Sequence, residues 1–172
     1  MRLTSLLATA SALALALLVS GCATPPPPLP PELQYQAPEA DAEAPTILGS
    51  QEKSGWADDF TVFIRAVDGK RVMAGRKGWE TPLPLRAGDR RLVVEFNRGA
   101  FFAGAVMMLP AAAGAHYELR YTSDVGFNGT NTYCDFWIVD LATGKAVTDV
   151  VRGRVGGGGG GGAVIPIFIP RK

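Results

Sequence analysis

The sequence contains few of the residues that most often build catalytic and metal sites. Its 172 residues include two cysteines and one histidine. One histidine leaves the usual zinc ligand sets incomplete unless carboxylates fill them, so the sequence predicts neither a metal site nor a cofactor. An excess of one charge is lacking too, because 17 basic and 16 acidic side chains give a net charge of +1. This balance is not that of a basic nucleic-acid-binding domain, and no nucleic-acid partner is expected.

The first 21 residues lack the length and the flanking sequence of a membrane-spanning helix. They hold one positive charge, at Arg2, then an apolar core interrupted by serine and threonine, and small residues at their end. This layout is typical of an exported signal peptide. A spanning helix needs about 20 predominantly apolar residues, and the prolines that begin at Pro25 would end any helix here. Residues 1–21 are therefore predicted to be a signal peptide.

The end of the signal peptide and the first residue after it read Val-Ser-Gly-Cys, residues 19–22, which resembles the lipobox of bacterial lipoproteins. The resemblance implies cleavage between Gly21 and Cys22, a diacylglycerol on the Cys22 thiol and an acyl chain on the new amine. Such chains, worth about 0.8 kcal/mol per buried methylene, would anchor the protein permanently. Because Ala23 rather than aspartate follows, the resemblance implies sorting to the outer membrane, on its periplasmic side. An ordinary secreted protein with an incidental cysteine is the alternative.

Residues 22–55 are predicted to be the lipidated cysteine and a disordered linker. A proline-rich run occupies residues 25–31, and a mixture of alanine, glutamate and proline follows up to residue 45. Such a composition buries too little apolar surface to fold, and its prolines favour the extended polyproline II conformation. We expect a stiff tether that holds a domain away from the bilayer. Recognition of the prolines by an aromatic groove of a partner is the alternative.

A β domain is predicted over residues 56–155, where apolar and polar residues alternate. One face of the first predicted strand carries apolar residues: Phe60, Val62, Ile64 and Ala66. The Asp68-Gly69 pair behind this strand is a strong hairpin signal. Strands of five to ten residues with a turn about every ten residues predict an all-β fold, an antiparallel β-sandwich of the immunoglobulin-like or transthyretin-like kind.

Two further strands of this domain differ in their pattern. The segment DRRLVVEFNR alternates, which predicts three inward residues: Leu92, Val94 and Phe96. The segment AFFAGAVMMLP, residues 100–110, is apolar on both faces, which is typical of a central strand.

The turn sequences resemble those of small, mostly uncharacterised β domains of the bacterial envelope. They comprise the AVDGK turn, two glycine-led strands and the closing DLATGK hairpin, all between residues 60 and 148. The resemblance implies the β fold but no activity, because function must be argued from a site.

Charge is unevenly placed within this domain. Residues 65–98 hold nine basic and four acidic side chains. A basic surface of this kind would attract phosphates or another anionic envelope polymer. The ordinary interpretation, which we favour here, is a solvated face of alternating strands.

One cysteine–histidine pair, Cys134 and His116, is the candidate for thiol catalysis, because a thiol nucleophile needs a nearby base. Cys134 alternates in register with Phe136 and Ile138, however, which predicts a buried and inert thiol. With Cys22 acylated, Cys134 also has no partner for an intramolecular disulfide. No catalytic residue is therefore predicted, and an envelope thiol enzyme is the alternative.

The loop DVGFNGTNTYCD offers four oxygen-bearing side chains as candidate calcium ligands: Asp124, Asn128, Asn131 and Asp135. Their spacing does not match that of an EF-hand loop. Side chains of this type more often satisfy backbone groups within a loop, and we expect that role for them.

The aromatic residues are numerous enough for a glycan-stacking surface: Trp56, Trp79, Tyr117, Tyr121, Tyr133 and Trp137. Aromatic residues in strands more often belong to the core. A module that binds cell-wall or lipopolysaccharide glycan is therefore a further alternative.

The last segment, residues 156–172, combines a glycine linker with an apolar tail. The seven glycines at residues 156–162 lack the Lys-Ser/Thr pair and the helix of a phosphate-binding loop. Prolines keep the tail from being a central strand. We expect the tail to pair with an edge of its own domain, because a free segment this apolar would tend to aggregate. Addition to a partner's sheet is the alternative.

These features together predict a non-enzymatic lipoprotein anchored to the outer membrane by its N-terminal lipid. Its β domain is expected to bind or support another component of the cell envelope, either a protein or a glycan.

Overall fold

The computed structural model describes residues 27–39, 41, 43–55, 58–126, 129–157 and 167–169. The predicted signal peptide, its cleavage site at Gly21 and the lipid site at Cys22 lie outside these residues, as do Trp56 and Asn128. Within the described residues the fold is all-β, and two mostly antiparallel sheets pack against each other as a sandwich. The predicted fold class is confirmed.

The described part of the chain forms strands of two to eleven residues and two short 3₁₀ turns, Pro31–Leu33 and Gly75–Gly78. In chain order the strands are β1 (Thr46–Leu48), β2 (Ser50–Glu52), β3 (Phe60–Val67), β4 (Lys70–Arg71), β5 (Leu83–Pro84), β6 (Gly88–Arg98), β7 (Phe101–Ala111), β8 (His116–Ser123), β9 (Tyr133–Asp140), β10 (Val150–Arg154), β11 (Gly156–Gly157) and β12 (Ile167–Ile169).

Each sheet combines strands from distant parts of the chain. Sheet I has the order β12-β10-β9-β8-β1-β5. Sheet II has the order β11-β7-β6-β3, and β2 and β4 pair with different parts of the same edge of β3. The strand pairs are antiparallel except for β1 with β8, which is parallel.

The hairpin between β3 and β4 forms at the predicted Asp-Gly pair. Asp68 and Gly69 both have positive φ angles, 50° and 82°. Two successive positive φ angles are the signature of a type I′ turn, whose twist matches that of the strands it joins. This local prediction is confirmed.

The chain crosses from sheet I to sheet II through a single residue, Gly49, between β1 and β2. A Cβ atom at this position would overlap the carbonyl oxygen of Val62 and lie 3.0 Å from the Cβ of Trp79. The Gly49 N–H also donates a 2.7 Å hydrogen bond to the Trp79 carbonyl oxygen. The missing side chain therefore allows the corner to form against β3 and the β4–β5 loop.

The core lies between the sheets and follows the alternation predicted for β6. Its three predicted inward residues are fully buried: Leu92, Val94 and Phe96. Strand β3 departs from its predicted pattern, because a β-bulge shifts the register between Ile64 and Ala66. As a result Val67 is fully buried in the core and Ala66 is not part of it.

The domain begins before the boundary predicted at residue 56. Strands β1 and β2 lie within residues 22–55, the range predicted as linker, and Ile47 of β1 is fully buried. The predicted boundary is wrong because the proline-rich segment ends well before residue 55. The three-residue strands that follow are too short to show a period of two.

Two predictions concerned strands near the sheet edges. β7, expected to be central, lies next to the end of sheet II, where β11 pairs only with Phe101 and Phe102. Within the C-terminal tail, β12 pairs antiparallel with β10, so this part of the tail lies on its own domain, as expected.

Candidate functional site

Cys134 and His116, the candidate catalytic pair, lie at opposite ends of the β8–β9 strand pair. Cys134 pairs across the sheet with Ser123, at the end of β8, whereas His116 begins that strand. Seven residues of strand separate the two positions, which corresponds to roughly 23 Å. The structure therefore does not bring the thiol and the imidazole together.

The environments of the two side chains differ as much as their positions. Cys134 is fully buried in the core cluster. Burial raises the pKa of its thiol, and the nearby Asp135 and Asp124 carboxylates raise it further. The exposed His116 has its Nδ1 atom 2.9 Å from the Thr46 hydroxyl oxygen. Cys134 thus has the surroundings of an inert structural thiol.

Thiol accessibility tests this assignment directly. In a Cys22→Ser variant, in which Cys134 is the remaining thiol, we expect a water-soluble thiol reagent to react about 1,000-fold more slowly with native than with urea-unfolded protein. Reaction in the native state should require opening of the core. Equally rapid blocking in both states would favour the thiol-enzyme alternative.

Asp124 organises the loop between β8 and β9. Its carboxylate accepts hydrogen bonds from the Thr130 hydroxyl, from the Thr132 hydroxyl at 2.7 Å, and from the Thr132 and Tyr133 backbone N–H groups, both at 2.9 Å. Desolvation would raise the pKa of this carboxyl, but the hydrogen bonds together outweigh it and hold the pKa well below its usual range. The donors occupy the oxygens that a bound cation would need.

The next candidate ligands are also engaged in internal contacts. Asp135, 8% exposed, accepts two 2.7 Å hydrogen bonds from Nε and Nη2 of Arg152. The Arg152 guanidinium lies 4.3 Å from the ring centroid of Tyr133, and its hydrogen bonds with Asp135 raise the pKa of Arg152. The Asn131 side-chain oxygen accepts the Gly126 N–H at 3.0 Å.

The predicted role of these loop side chains is therefore confirmed for Asp124 and Asn131, which satisfy backbone groups. Asp135 instead forms an ion pair, and the fourth candidate, Asn128, lies outside the described residues. Across the described ranges no group of three or more histidine, cysteine, aspartate or glutamate side chains is arranged to hold a metal ion.

The candidate glycan-binding aromatics do not share one surface. Tyr117 is buried in the core, and Tyr121 is partly buried against it. Two others occupy alternate positions of β9 that point away from the core: Tyr133 and Trp137. Trp79 lies in the β4–β5 loop, and Trp56 is outside the described residues. The structure thus divides the set rather than forming a stacking platform from it.

A small cavity lies beneath the β4–β5 loop. Its volume is about 70 Å³. The lining is mainly apolar and includes Ile47, Ile64, Val72 and Leu83. Pockets for cofactors and drug-sized ligands are typically about 300–1,000 Å³, so this cavity is too small for either.

An N-terminal segment around Tyr35 packs onto the domain, a feature that the sequence reasoning missed. The Tyr35 hydroxyl donates a 2.9 Å hydrogen bond to the Pro84 carbonyl oxygen, and its backbone N–H donates one of 2.8 Å to the Arg71 carbonyl oxygen. Gln34 forms a parallel bridge with Arg71 of β4. Burial raises the pKa of the Tyr35 hydroxyl, as expected for a ring packed against the core.

The segment lies beside a surface that combines exposed cations with exposed apolar side chains. We call it the hairpin surface, and it consists of Leu33, Lys70, Arg71, Met73, Arg86 and Arg91. Leu33 and Met73 are 50% and 56% exposed, and Met108 and Leu141, which lie outside this surface, are exposed to a similar degree. The four cations form no ion pair among the described residues.

One carboxylate beside this surface, that of Asp68 in the hairpin turn, is occupied. It accepts a 2.9 Å hydrogen bond from Nη1 of Arg90 and another of 2.9 Å from the backbone N–H of Arg91. These bonds fix the hairpin turn against the start of β6. Neither bond involves the Arg91 guanidinium, which forms no ion pair with the residues that the structure describes.

Comparison with known proteins adds no family assignment. No protein-family model, curated protein or solved structure matches the chain. Among the described residues, no helix has the length and apolar character needed to cross a membrane.

Proposed function

We propose that this protein is a non-enzymatic lipoprotein of the bacterial outer membrane, held on the periplasmic side by a lipid on Cys22. The observation that carries the proposal is the Val-Ser-Gly-Cys sequence at residues 19–22, placed at the end of a signal-peptide pattern and directly before prolines. In this arrangement the lipid localises the protein to the membrane, and the β-sandwich provides the surface that contacts other envelope components.

The geometry of the N-terminal segment supports an anchor at this end of the chain. Gln34 and Tyr35 contact Arg71 of the domain, and the 3₁₀ turn Pro31–Leu33 just before them is exposed. A lipidated N-terminus would then be connected to the domain through a short segment. The proposal assigns that segment the role of a tether.

The proposed role of the domain is to bind or support another envelope component. Its hairpin surface offers exposed cations and apolar side chains in the same place, which is the composition of an interaction surface rather than of a catalytic site. The thiol-enzyme alternative has less support, because Cys134 is buried and His116 lies at the far end of β8.

The lipid assignment is tested by a Cys22→Ser variant expressed in a bacterium with two membranes. We expect wild-type protein to incorporate labelled palmitate, to lose residues 1–21 and to fractionate with the outer membrane. The variant should incorporate no label and remain at precursor mass, because lipidation of the cysteine precedes cleavage in lipoproteins. The readout is the mass of the N-terminal peptide.

A Cys134→Ala variant is the matched control, because it removes the other cysteine and leaves the lipid site intact. It should still be labelled and processed. A Cys22→Ser protein that reaches its mature mass and stays membrane-bound would contradict the proposal.

A further inference from the structure

We infer that the hairpin surface lies on the anionic phospholipid headgroups of the leaflet that holds the Cys22 lipid. This inference rests on the lipidation proposed above and adds an orientation of the domain to it. It replaces the expectation that the tether holds the domain away from the bilayer. Three features of the structure point to it: the length of the connecting chain, the direction in which that chain leaves the domain, and the charge of the surface at that point.

The length of the connection limits how far the domain can stand from the membrane. Pro30 is eight residues after Cys22, and eight residues span at most about 29 Å whatever their conformation. Pro30 belongs to the exposed turn that leads into the domain contact, since its carbonyl oxygen accepts the Leu33 N–H at 3.0 Å and the following Gln34 bridges Arg71. A lipid on Cys22 would therefore hold this turn within about 29 Å of the bilayer surface, which is less than the span of the longest strands of the sandwich.

The chain before Gln34 leaves the sandwich at the end that carries the β3–β4 hairpin turn, so the lipid would lie nearest to this end. Gln34 bridges Arg71 in parallel, so the chain preceding Gln34 runs back towards the turn at Asp68 and Gly69. The opposite end, which carries the loop of Asp124, is separated from this end by the length of the strands. The eleven residues of β7 alone span about 36 Å. The short tether would have to pass around the whole domain to present that end.

The chemistry of the hairpin surface fits a headgroup layer. Clusters of lysine and arginine next to a membrane anchor are attracted by anionic lipids. Exposed apolar side chains within such a cluster can enter the boundary between headgroups and acyl chains. The four cations of the hairpin surface, which form no ion pair with the described residues, would attract anionic lipids. The exposed side chains of Leu33 and Met73 would enter the headgroup boundary.

At the hairpin end of the sandwich, some acidic side chains lie beside the hairpin surface and others lie beside the β7–β8 turn. Beside the hairpin surface, Asp68 is occupied by neighbouring arginines, while Glu32 and Asp89 are exposed and offset part of the positive charge. Asp41 and Glu43 belong to the segment beside the β7–β8 turn. The uneven charge favours contact of the hairpin side, rather than the turn side, with an anionic surface.

The experiment uses mature, lipidated protein reconstituted into vesicles that contain a nitroxide lipid as quencher. A fluorophore is attached at Met73→Cys on the hairpin surface or, as the matched control, at Thr122→Cys, an exposed position at the far end of β8. In vesicles containing phosphatidylglycerol we expect quenching at position 73 to be about threefold stronger than at position 122.

Charge variants test the assigned chemistry. Arg71→Glu combined with Arg91→Glu should reduce quenching at position 73 to the level at position 122, whereas Lys145→Glu, in the exposed β9–β10 turn, should leave it unchanged. Both arginine side chains are exposed and unpaired, so the fold should tolerate their replacement, which thermal unfolding verifies. Equal quenching at the two positions, or quenching unaffected by the arginine replacements, would overturn the inference.

Two further outcomes are decisive. If shielding of position 73 persists in neutral detergent and rises with protein concentration, a second copy of the chain covers the surface and the inference fails. The mass of the N-terminal peptide is measured on the same preparation. If the peptide carries no acyl groups, both the proposed function and this inference are wrong. If the peptide is acylated but quenching does not differ between positions 73 and 122, only this inference is wrong.

Discussion

Replacing Gly49 by alanine is expected to lower the free energy of unfolding by about 3 kcal/mol. The new methyl group would overlap the carbonyl oxygen of Val62 and lie 3.0 Å from the Cβ of Trp79. Val62 is fully buried in β3, and Trp79 accepts the hydrogen bond of the Gly49 N–H through its backbone, so neither neighbour can move independently. Relief would require β2 to separate from β3 at the corner between the sheets.

Urea denaturation followed by tryptophan fluorescence measures this effect as a lower midpoint of unfolding. Gly126→Ala is the matched control, because a Cβ atom at Gly126 meets no atom within 4 Å. We expect that control to change the free energy of unfolding by less than about 0.5 kcal/mol. A Gly49→Ala protein as stable as the control would contradict the described crossing between the sheets.

The features of the fold that were predicted correctly are those encoded over a few consecutive residues. The β3–β4 turn needs only Asp68 and Gly69, whose positive φ angles are compatible with these residue types. Strand β6 pairs with a long strand on each side, and its regular alternation of buried and exposed residues follows directly from a period of two.

The features that were missed depend on contacts between distant segments. Strand β1 has three residues, and it is a strand because it pairs with β8, some 70 residues later, and with β5. No period of two can appear in three residues. The bulge in β3 is missed for a related reason, because it depends on the register with β6 rather than on any residue between Ile64 and Ala66.

The candidate sites show the same division. The buried position of Cys134 follows from its alternation with Phe136 and Ile138, and all three are fully buried. The packing of Tyr35 was missed because its neighbours have a linker composition. One signal was present, since Tyr35 is the single aromatic residue between Cys22 and Trp56. An isolated aromatic residue in such a segment is a reasonable candidate for a packing contact.

The hairpin surface could be anticipated only in part. The excess of basic residues in positions 65–98 is visible in the sequence. Which of them remain unpaired is not visible, because pairing depends on the strand register. Arg65 pairs with Glu95 across β3 and β6, whereas Arg71, on the short β4, forms no ion pair within the described part of the chain. Strand register therefore determines which of the basic residues stay without an ion-pair partner and places them together on one surface.

Replacing Phe96 by alanine should have an effect of similar or larger size, a loss of about 3–5 kcal/mol in the free energy of unfolding. Phe96 is fully buried in β6, and its ring centroid lies 6.2 Å from that of Phe60 and 5.5 Å from that of Tyr121. Phe60 and Phe96 belong to sheet II and Tyr121 to sheet I, so this ring is a direct link between the two layers. Its removal would leave a cavity and two aromatic rings without their common partner.

Phe96→Leu is the control that separates the loss of volume from the loss of the ring. It should cost less than about 1.5 kcal/mol, because leucine fills much of the same space. Urea unfolding of both variants, with an unchanged dependence on denaturant, measures the difference. If the alanine variant were as stable as the leucine variant, Phe96 would not lie at the centre of the core. Because Tyr121 and Phe60 lie in different sheets, such a result would also argue against the described packing of the sandwich.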